Sequence, residues 1–372
     1  MKIIINTAHQ VFGGAIQVAL SFIYECRNFP EHEYRVWVGQ GVGNSLKKNE
    51  FPSNFFFYDF DFGPINFKTI KKIQVTLAPI EAAIRPDVMI ATSGPTYYHS
   101  KAPQLIGFNL PLILYPESPY LKDLPLKKKI KFFIRNQFHI HYYRRDATAY
   151  FAQTEDVNQR VRKTLKTDHV HTVTNTYHSF FLKKDKEFNF LPRKADNEFR
   201  FLTVTAYYPH KNLELIPAIA KILEARGINH FRFVLTLKPE EFQQYIKTHP
   251  LIINLGPVKP EACPSLYQEC DGMFLPTLAE CFSASYPEAM VMEKPIITTD
   301  LGFARSICGE AALYFKPKNA QDAADKFIEL VQNPALIKEL VNKGKKQLSK
   351  FDNARERARK YLEICEQYAK GR

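Results

Sequence analysis

Short apolar runs alternate with longer stretches of mixed polarity along the whole chain. Residues 2–8 (KIIINTA), 34–38, 55–60 and 88–92 are dense in Ile, Val, Phe and Tyr and end at turn residues, which predicts buried strands. Gly13-Gly14 opens a helical stretch, AIQVALSFIYE, and residues 67–84 predict a second helix. Residues 112–115 predict a short strand that Pro116-Glu117-Ser118-Pro119 leaves. Residues 122–145 predict an amphipathic helix, 149–153 a strand, 155–165 a helix and 170–174 a strand ending at Asn175. A second series begins at Phe199. Strands are predicted at 201–205, 231–236, 252–255, 273–275, 295–298 and 312–315. Helices are predicted over 264–269, 322–331, 335–348 and 354–369. Strand alternating with helix is the pattern of parallel α/β sheets. The polar, irregular stretch 183–198 is the best linker between two such units.

Composition sharpens this reading. The chain has 372 residues, 45% hydrophobic and 24% charged, which suits two packed domains and not disorder. Its net charge of +13 suits nucleic acid, an anionic membrane surface or nucleotide diphosphates, and selects none of them alone. The six cysteines form no CxxC pair and lie near no histidine cluster, so free thiols in the cytoplasm are expected and no metal centre is. The opening MKIIINTA reads as a strand, not as a signal peptide. No uncharged apolar run approaches the roughly 20 residues that span a bilayer.

Charge is concentrated in 122–145, where Lys127, Lys128, Lys129, Lys131, Arg135, Arg144 and Arg145 are interleaved with Ile130, Phe132, Phe133, Ile134, Phe138, Ile140, Tyr142 and Tyr143. A basic face with aromatics suits anionic lipid headgroups. The other reading is a helix whose aromatics pack on its own domain. No nucleic-acid-binding module surrounds the segment, so no nucleic-acid partner is expected.

The candidate chemistry lies in Glu280-Cys281-Phe282-Ser283-Ala284-Ser285-Tyr286-Pro287-Glu288, followed by Ala289-Met290, between two predicted strands. In open α/β sheets ligands collect at the carboxyl ends of strands, and helix N-termini there attract anions. Ser283, Ala284 and Ser285 are small enough for a phosphate to approach the backbone. Carboxylates beside an anion site are explained if Glu280 and Glu288 hold hydroxyls of a sugar or a ribose. Lys211, at the turn after the first strand of the second series, can meet a diphosphate as a point charge. Gly13-Gly14 is a tight turn where amides can face a phosphate, or simply a turn. His99 and Glu117, in loops of the first half, are candidates to contact substrate, or are hydrogen-bonded loop residues.

Two glutamates eight residues apart with this spacer, and the Lys211-Asn212 pair, resemble the retaining glycosyltransferases of family 4, most specifically in the second half. Gly13-Gly14 and Asn175 also match that pattern. The resemblance implies the GT-B fold, two Rossmann-like domains with parallel sheets facing across a cleft. Residues 1–185 would form the acceptor-side domain and 186–353 the nucleotide-sugar domain, with the helix of 354–372 a candidate to cross back to the first. It implies transfer of a sugar from a nucleotide-diphosphate sugar to a glycan acceptor, lipid-linked if the basic helix meets a membrane, without a metal or other cofactor. Glu288 would hold the ribose and Glu280 the donor sugar. Lys211 and the backbone of Phe282, Ser283, Ala284 and Ser285 would neutralise the diphosphate, with Gly13 and Gly14 approaching from the first domain.

Two positions depart from the family. Its usual arginine, five residues before the lysine, is Ala206, with His210 the nearest compensating group. Its usual histidine after a central strand of the first domain is absent from LILYPESPYL, so either His99 or Glu117 takes that role or the role is absent. The missing arginine leaves open a non-catalytic homologue that binds glycans or nucleotides.

Overall fold

The computed structural model describes residues 1–10, 13–182 and 189–371. The chain forms two units. The first contains Met1–Leu114, Leu124–Asn175 and Asp352–Arg372, and the second contains Tyr115–Asp123 and Thr176–Phe351. The predicted boundary at 185/186 falls outside the described residues, as do Val11 and Phe12 of the loop ahead of Gly13.

The first unit is built on β1 (Lys2–Asn6), β2 (Glu33–Gly39), β3 (Phe55–Phe60), β4 (Val88–Ala91), β5 (Gln104–Gly107), β6 (Ala149–Ala152) and β7 (Val170–Thr172). They pair in parallel in the order β3-β2-β1-β4-β5-β6-β7. Successive strand residues face opposite sides, and β1 divides its isoleucines accordingly. Ile3 and Ile5 pack with Val36, Val88 and Ile90 on one face, while Ile4 packs with Trp37 and Met89 on the other. Helices cover both faces, which is why these strands read as continuous apolar runs rather than alternating ones.

The terminal helix Ala354–Lys370 lies on the first of those faces. Its Tyr361 ring meets Phe22 at 5.4 Å and Phe151 at 4.5 Å, both edge-on. Arg357 of the same helix is fully buried and donates to Asn175 Oδ1 and, at 2.7 Å, to Ser21 Oγ. A buried guanidinium needs such acceptors, because an unpaired charge in the interior is costly.

The second unit is built on β8 (Phe199–Thr203), β9 (Phe231–Leu235), β10 (Ile252–Asn254), β11 (Gly272–Leu275), β12 (Ile296–Thr299) and β13 (Ala312–Phe315), parallel in the order β10-β9-β8-β11-β12-β13. The Phe327 ring sits edge-on to Phe201, Phe233 and Phe274 at 4.4, 5.1 and 4.9 Å. In both sheets the strand order reverses once, at β1/β4 and at β8/β11. Such reversal points are where open α/β sheets leave a crevice for ligand.

The predicted strand at 112–115 is instead a helical turn, Pro111–Leu114. Proline is tolerated in a helix's first turn, where its missing N–H costs nothing. The strand beside β4 is β5, four buried residues with no alternation to announce them.

Candidate active site

At the reversal point of the second sheet, the loops after β8 and β11 are stitched together through their backbones. β8 leads through residues 204–208 into the single turn Pro209–Lys211, closed by Asn212 in a left-handed conformation (φ 55°). The Leu278 N–H donates to His210 O at 2.8 Å, and Asn212 Nδ2 donates to Pro276 O at 3.3 Å. This frame brings the Lys211 ammonium onto Glu280 Oε1 in a direct ion pair, with side chains 13% and 12% exposed. The two predicted site residues nearest the strand ends therefore neutralise each other in the free protein.

Burial lowers the pKa of His210 to about 4, against the pull of Glu280, so the imidazole is uncharged at neutral pH.

Beyond Glu280 the chain turns through Phe282, whose ring stands edge-on to Phe351 at 5.9 Å, into the helix Ser285–Val291. Ser283 and Ser285 are buried. Glu288 lies in the first turn of this helix, and the Tyr267 hydroxyl approaches its Oε2 at 3.4 Å and Ser285 O at 3.3 Å. Desolvation pushes the Glu288 carboxyl up to about 7, only partly opposed by that hydroxyl. Tyr267 was missed in the sequence, where one tyrosine on a short helix carries no signal. Its role depends on packing across 21 residues of chain.

Glu117 is exposed, and its segment Tyr115–Asp123 belongs to the second unit. The other candidates lie in the first unit. Gly13 ends the approach to the helix Gly14–Glu25 at φ 87°, a conformation that favours glycine, while a Cβ on Gly14 would meet nothing within 4 Å. The first amides of that helix have no intrahelical acceptor. Nearby, Gln10 Nε2 donates to Ser93 Oγ at 3.0 Å and links the loops after β1 and β4.

His99 lies at the other edge of the first sheet. Its Nδ1 meets Arg145 O at 2.8 Å and its backbone pairs with Gln74, while the neighbouring Tyr98 O accepts from Gln104, the first residue of β5. That is the amino end of β5, away from the strand ends that carry Gly13. His99 is therefore set apart from Gly13 and Gly14, because the chain from 93 to 103 returns along the sheet to start a parallel strand.

Among the described residues no group of three or more His, Cys, Asp or Glu side chains could hold a metal ion. No described helix is long and apolar enough to cross a membrane. All six cysteines are buried, and none is joined in a disulfide.

Residues 184–347 match the family model of the group 1 glycosyl transferases. No curated protein matches the chain. Solved structures resemble it end to end. A glycosyltransferase from Rickettsia africae aligns with TM-score 0.72 at 16% identity, covering 100% of this chain and 99% of the other. Sucrose-phosphate synthase from Thermosynechococcus elongatus aligns with TM-score 0.75 at 13% identity, covering 100% of each. Anabaena HepE in complex with UDP-glucose aligns with TM-score 0.68 at 15% identity, covering 100% and 99%. At these identities the likeness speaks for the fold, which is GT-B: two α/β units, each on a parallel sheet.

Proposed function

We propose that this chain, a glycosyltransferase whose second unit carries the group 1 domain, moves a sugar from a nucleotide-diphosphate sugar to a glycan acceptor, with retention of anomeric configuration. The observation that carries the reading is the Lys211–Glu280 pair at the reversal point of the second sheet, with Glu288 one helix turn further on. A diphosphate arriving there competes with Glu280 for Lys211. The exchange gives the lysine to the phosphates and frees the Glu280 carboxylate to accept from donor-sugar hydroxyls. Glu288 accepts from the ribose hydroxyls.

As the glycosidic bond breaks, negative charge grows on the leaving diphosphate. Lys211 and the backbone amides of residues 282–285 stabilise it, which lowers the barrier only because they hold the more highly charged product-like state better than the less charged diphosphate of the ground state. We assign that neutralisation to these groups and not to a metal ion. The acceptor oxygen bonds to the anomeric carbon as its bond to the phosphate breaks, and the departing phosphate takes the acceptor's proton, so no protein base is assigned; no protein nucleophile is assigned either. Gly13 and Gly14 remain candidates for approach from the first unit, and Glu117 for contact with the sugar.

The acceptor is a glycan of surface polysaccharide type, lipid-linked at the cytoplasmic face of a membrane. One structural relative, WaaG, is a glycosyltransferase involved in lipopolysaccharide biosynthesis, and it aligns with TM-score 0.71 at 12% identity. The helix Leu126–Asp146 of the first unit, whose first half exposes Leu126, Ile130, Phe133 and Ile134 among lysines, supports the membrane part. A second reading, a binding protein without transfer activity, is favoured by one observation: Ala206 stands where a second cation is usual, and His210 is neutral.

Donor turnover decides between them. Lys211→Ala should lower kcat/KM for the donor by about a hundredfold, the loss typical of one preorganised group at a developing anion, with chelator-treated enzyme keeping full rate. Turnover unaffected by Lys211→Ala contradicts the assignment. Donor binding without turnover in the wild type favours the binding protein.

A further inference from the structure

The segment Tyr115–Asp123 is an excursion. The chain leaves the first unit at Leu114, packs within the second, and returns at Leu124. Its central residues, Ser118 and Tyr120, contact the two loops that carry the proposed site. Ser118 is buried, and its hydroxyl donates to Leu278 O at 2.8 Å while accepting from Tyr120 N–H at 3.2 Å. Leu278 is two residues before Glu280, and its own N–H holds His210 O. The Tyr120 ring stands edge-on to His210 at 6.2 Å, next to Lys211. Tyr115 packs edge-on against Phe303 at 6.0 Å at one end of the segment. Lys318 clasps the other end, through an ion pair with Asp123 and a 3.1 Å bond to Pro119 O.

We propose that Tyr115–Asp123 is a strap that positions the Glu280 loop for the sugar half of the donor, with Ser118 as its positioning residue. Leu278 is held on both sides of its Cα, its N–H by His210 O and its carbonyl by the Ser118 hydroxyl. The two bonds fix the two successive peptide planes that flank this residue, and with them the direction in which the chain presents Glu280. Without Ser118 the carbonyl is left buried and unpaired, a loss that the loop relieves by rotating. The clasp at Asp123 is half exposed and contributes less. The strap acts on Glu280, not on the ribose carboxylate Glu288, so it bears on the sugar and not on the nucleotide.

This inference rests on the donor-site reading above, and the test separates the two. Wild type and Ser118→Ala are titrated calorimetrically with UDP, GDP and ADP and with the glucose conjugate of each. For whichever nucleotide the wild type binds, Ser118→Ala should weaken the sugar conjugate about tenfold, equivalent to ~1.4 kcal/mol, and the free diphosphate less than twofold. Asp123→Lys, a surface change that turns the clasp into a repulsion, should shift the same ratio in the same direction by a smaller factor, and it decides the matter if Ser118→Ala does not fold. An unchanged ratio, or equal weakening of both ligands, overturns the strap while leaving the donor site standing. A wild type that binds none of the six ligands overturns the donor site, and the strap with it.

Discussion

Glu288 sits where its charge is costly. Its carboxyl rises to about 7 from an ordinary 4.5 because burial disfavours the ionised form. The folded state thus holds a proton that the unfolded chain releases near 4.5. The stability this contributes is complete below 4.5 and is lost as pH rises through 7. Glu288→Gln removes that dependence, so its melting temperature relative to wild type should climb between pH 5 and pH 8. The gain is at most a few kcal/mol at about 1.4 kcal/mol per pK unit. Nucleotide affinity should move the other way: wild type binds more tightly as pH passes 7 and the carboxylate forms, whereas Glu288→Gln binds weakly at every pH. Differential scanning calorimetry and titration across that range read both, and a flat wild-type profile contradicts the assignment. The residue types at 280, 288 and 211 were legible in the sequence because they stand at a recognisable spacing. That Lys211 and Glu280 neutralise each other was not, because it depends on two loops 69 residues apart meeting through the Leu278 and His210 backbones.

At the scale of elements, the helix Leu126–Asp146 is exposed in its first half and covered in its second. Ile140, Tyr142 and Tyr143 are buried, and Phe138 packs edge-on against Tyr142 at 4.8 Å. In the first half Leu126, Ile130, Phe133 and Ile134 are 72%, 52%, 63% and 63% exposed, at the 4- and 3-residue steps of one helix face, among Lys127, Lys128, Lys129 and Lys131. Apolar side chains bare among cations suit insertion between anionic headgroups. Ile130→Glu with Phe133→Glu should reduce flotation with phosphatidylglycerol-rich vesicles at least tenfold, given about 1.5–3 kcal/mol for each buried side chain, without changing the melting temperature. Equal flotation of variant and wild type would rule out this face as the contact. The helix's place was readable from its periodicity, but which half would be covered was not, because the covering residue Tyr97 belongs to a loop without periodicity. The same absence of pattern hid β5 and made the Pro111 turn read as a strand.

Over the whole molecule, the chain order conceals the units. The first unit is assembled from three separate stretches, with Asn175 and Arg357 joined across 182 residues, and Tyr115–Asp123 belongs to the second unit from within the first half of the sequence. The alternation of strand and helix foretold two parallel sheets, but the excursion of Tyr115–Asp123 rests on contacts such as Ser118 to Leu278 that leave no periodic trace. The proposed donor site needs no such exchange for the groups assigned to it: Lys211, Glu280, Glu288 and residues 282–285 all lie in the second unit. The most direct measurement is therefore a paired assay of wild type and Glu288→Ala, in which binding and turnover of UDP-, GDP- and ADP-sugars are followed by thermal shift and by release of nucleoside diphosphate. The wild type should be stabilised by the sugars of one nucleotide and release that diphosphate when acceptor is present, since ligand bound to the folded state raises the melting temperature by mass action. Glu288→Ala should lose both responses, and full turnover in that variant would contradict the account.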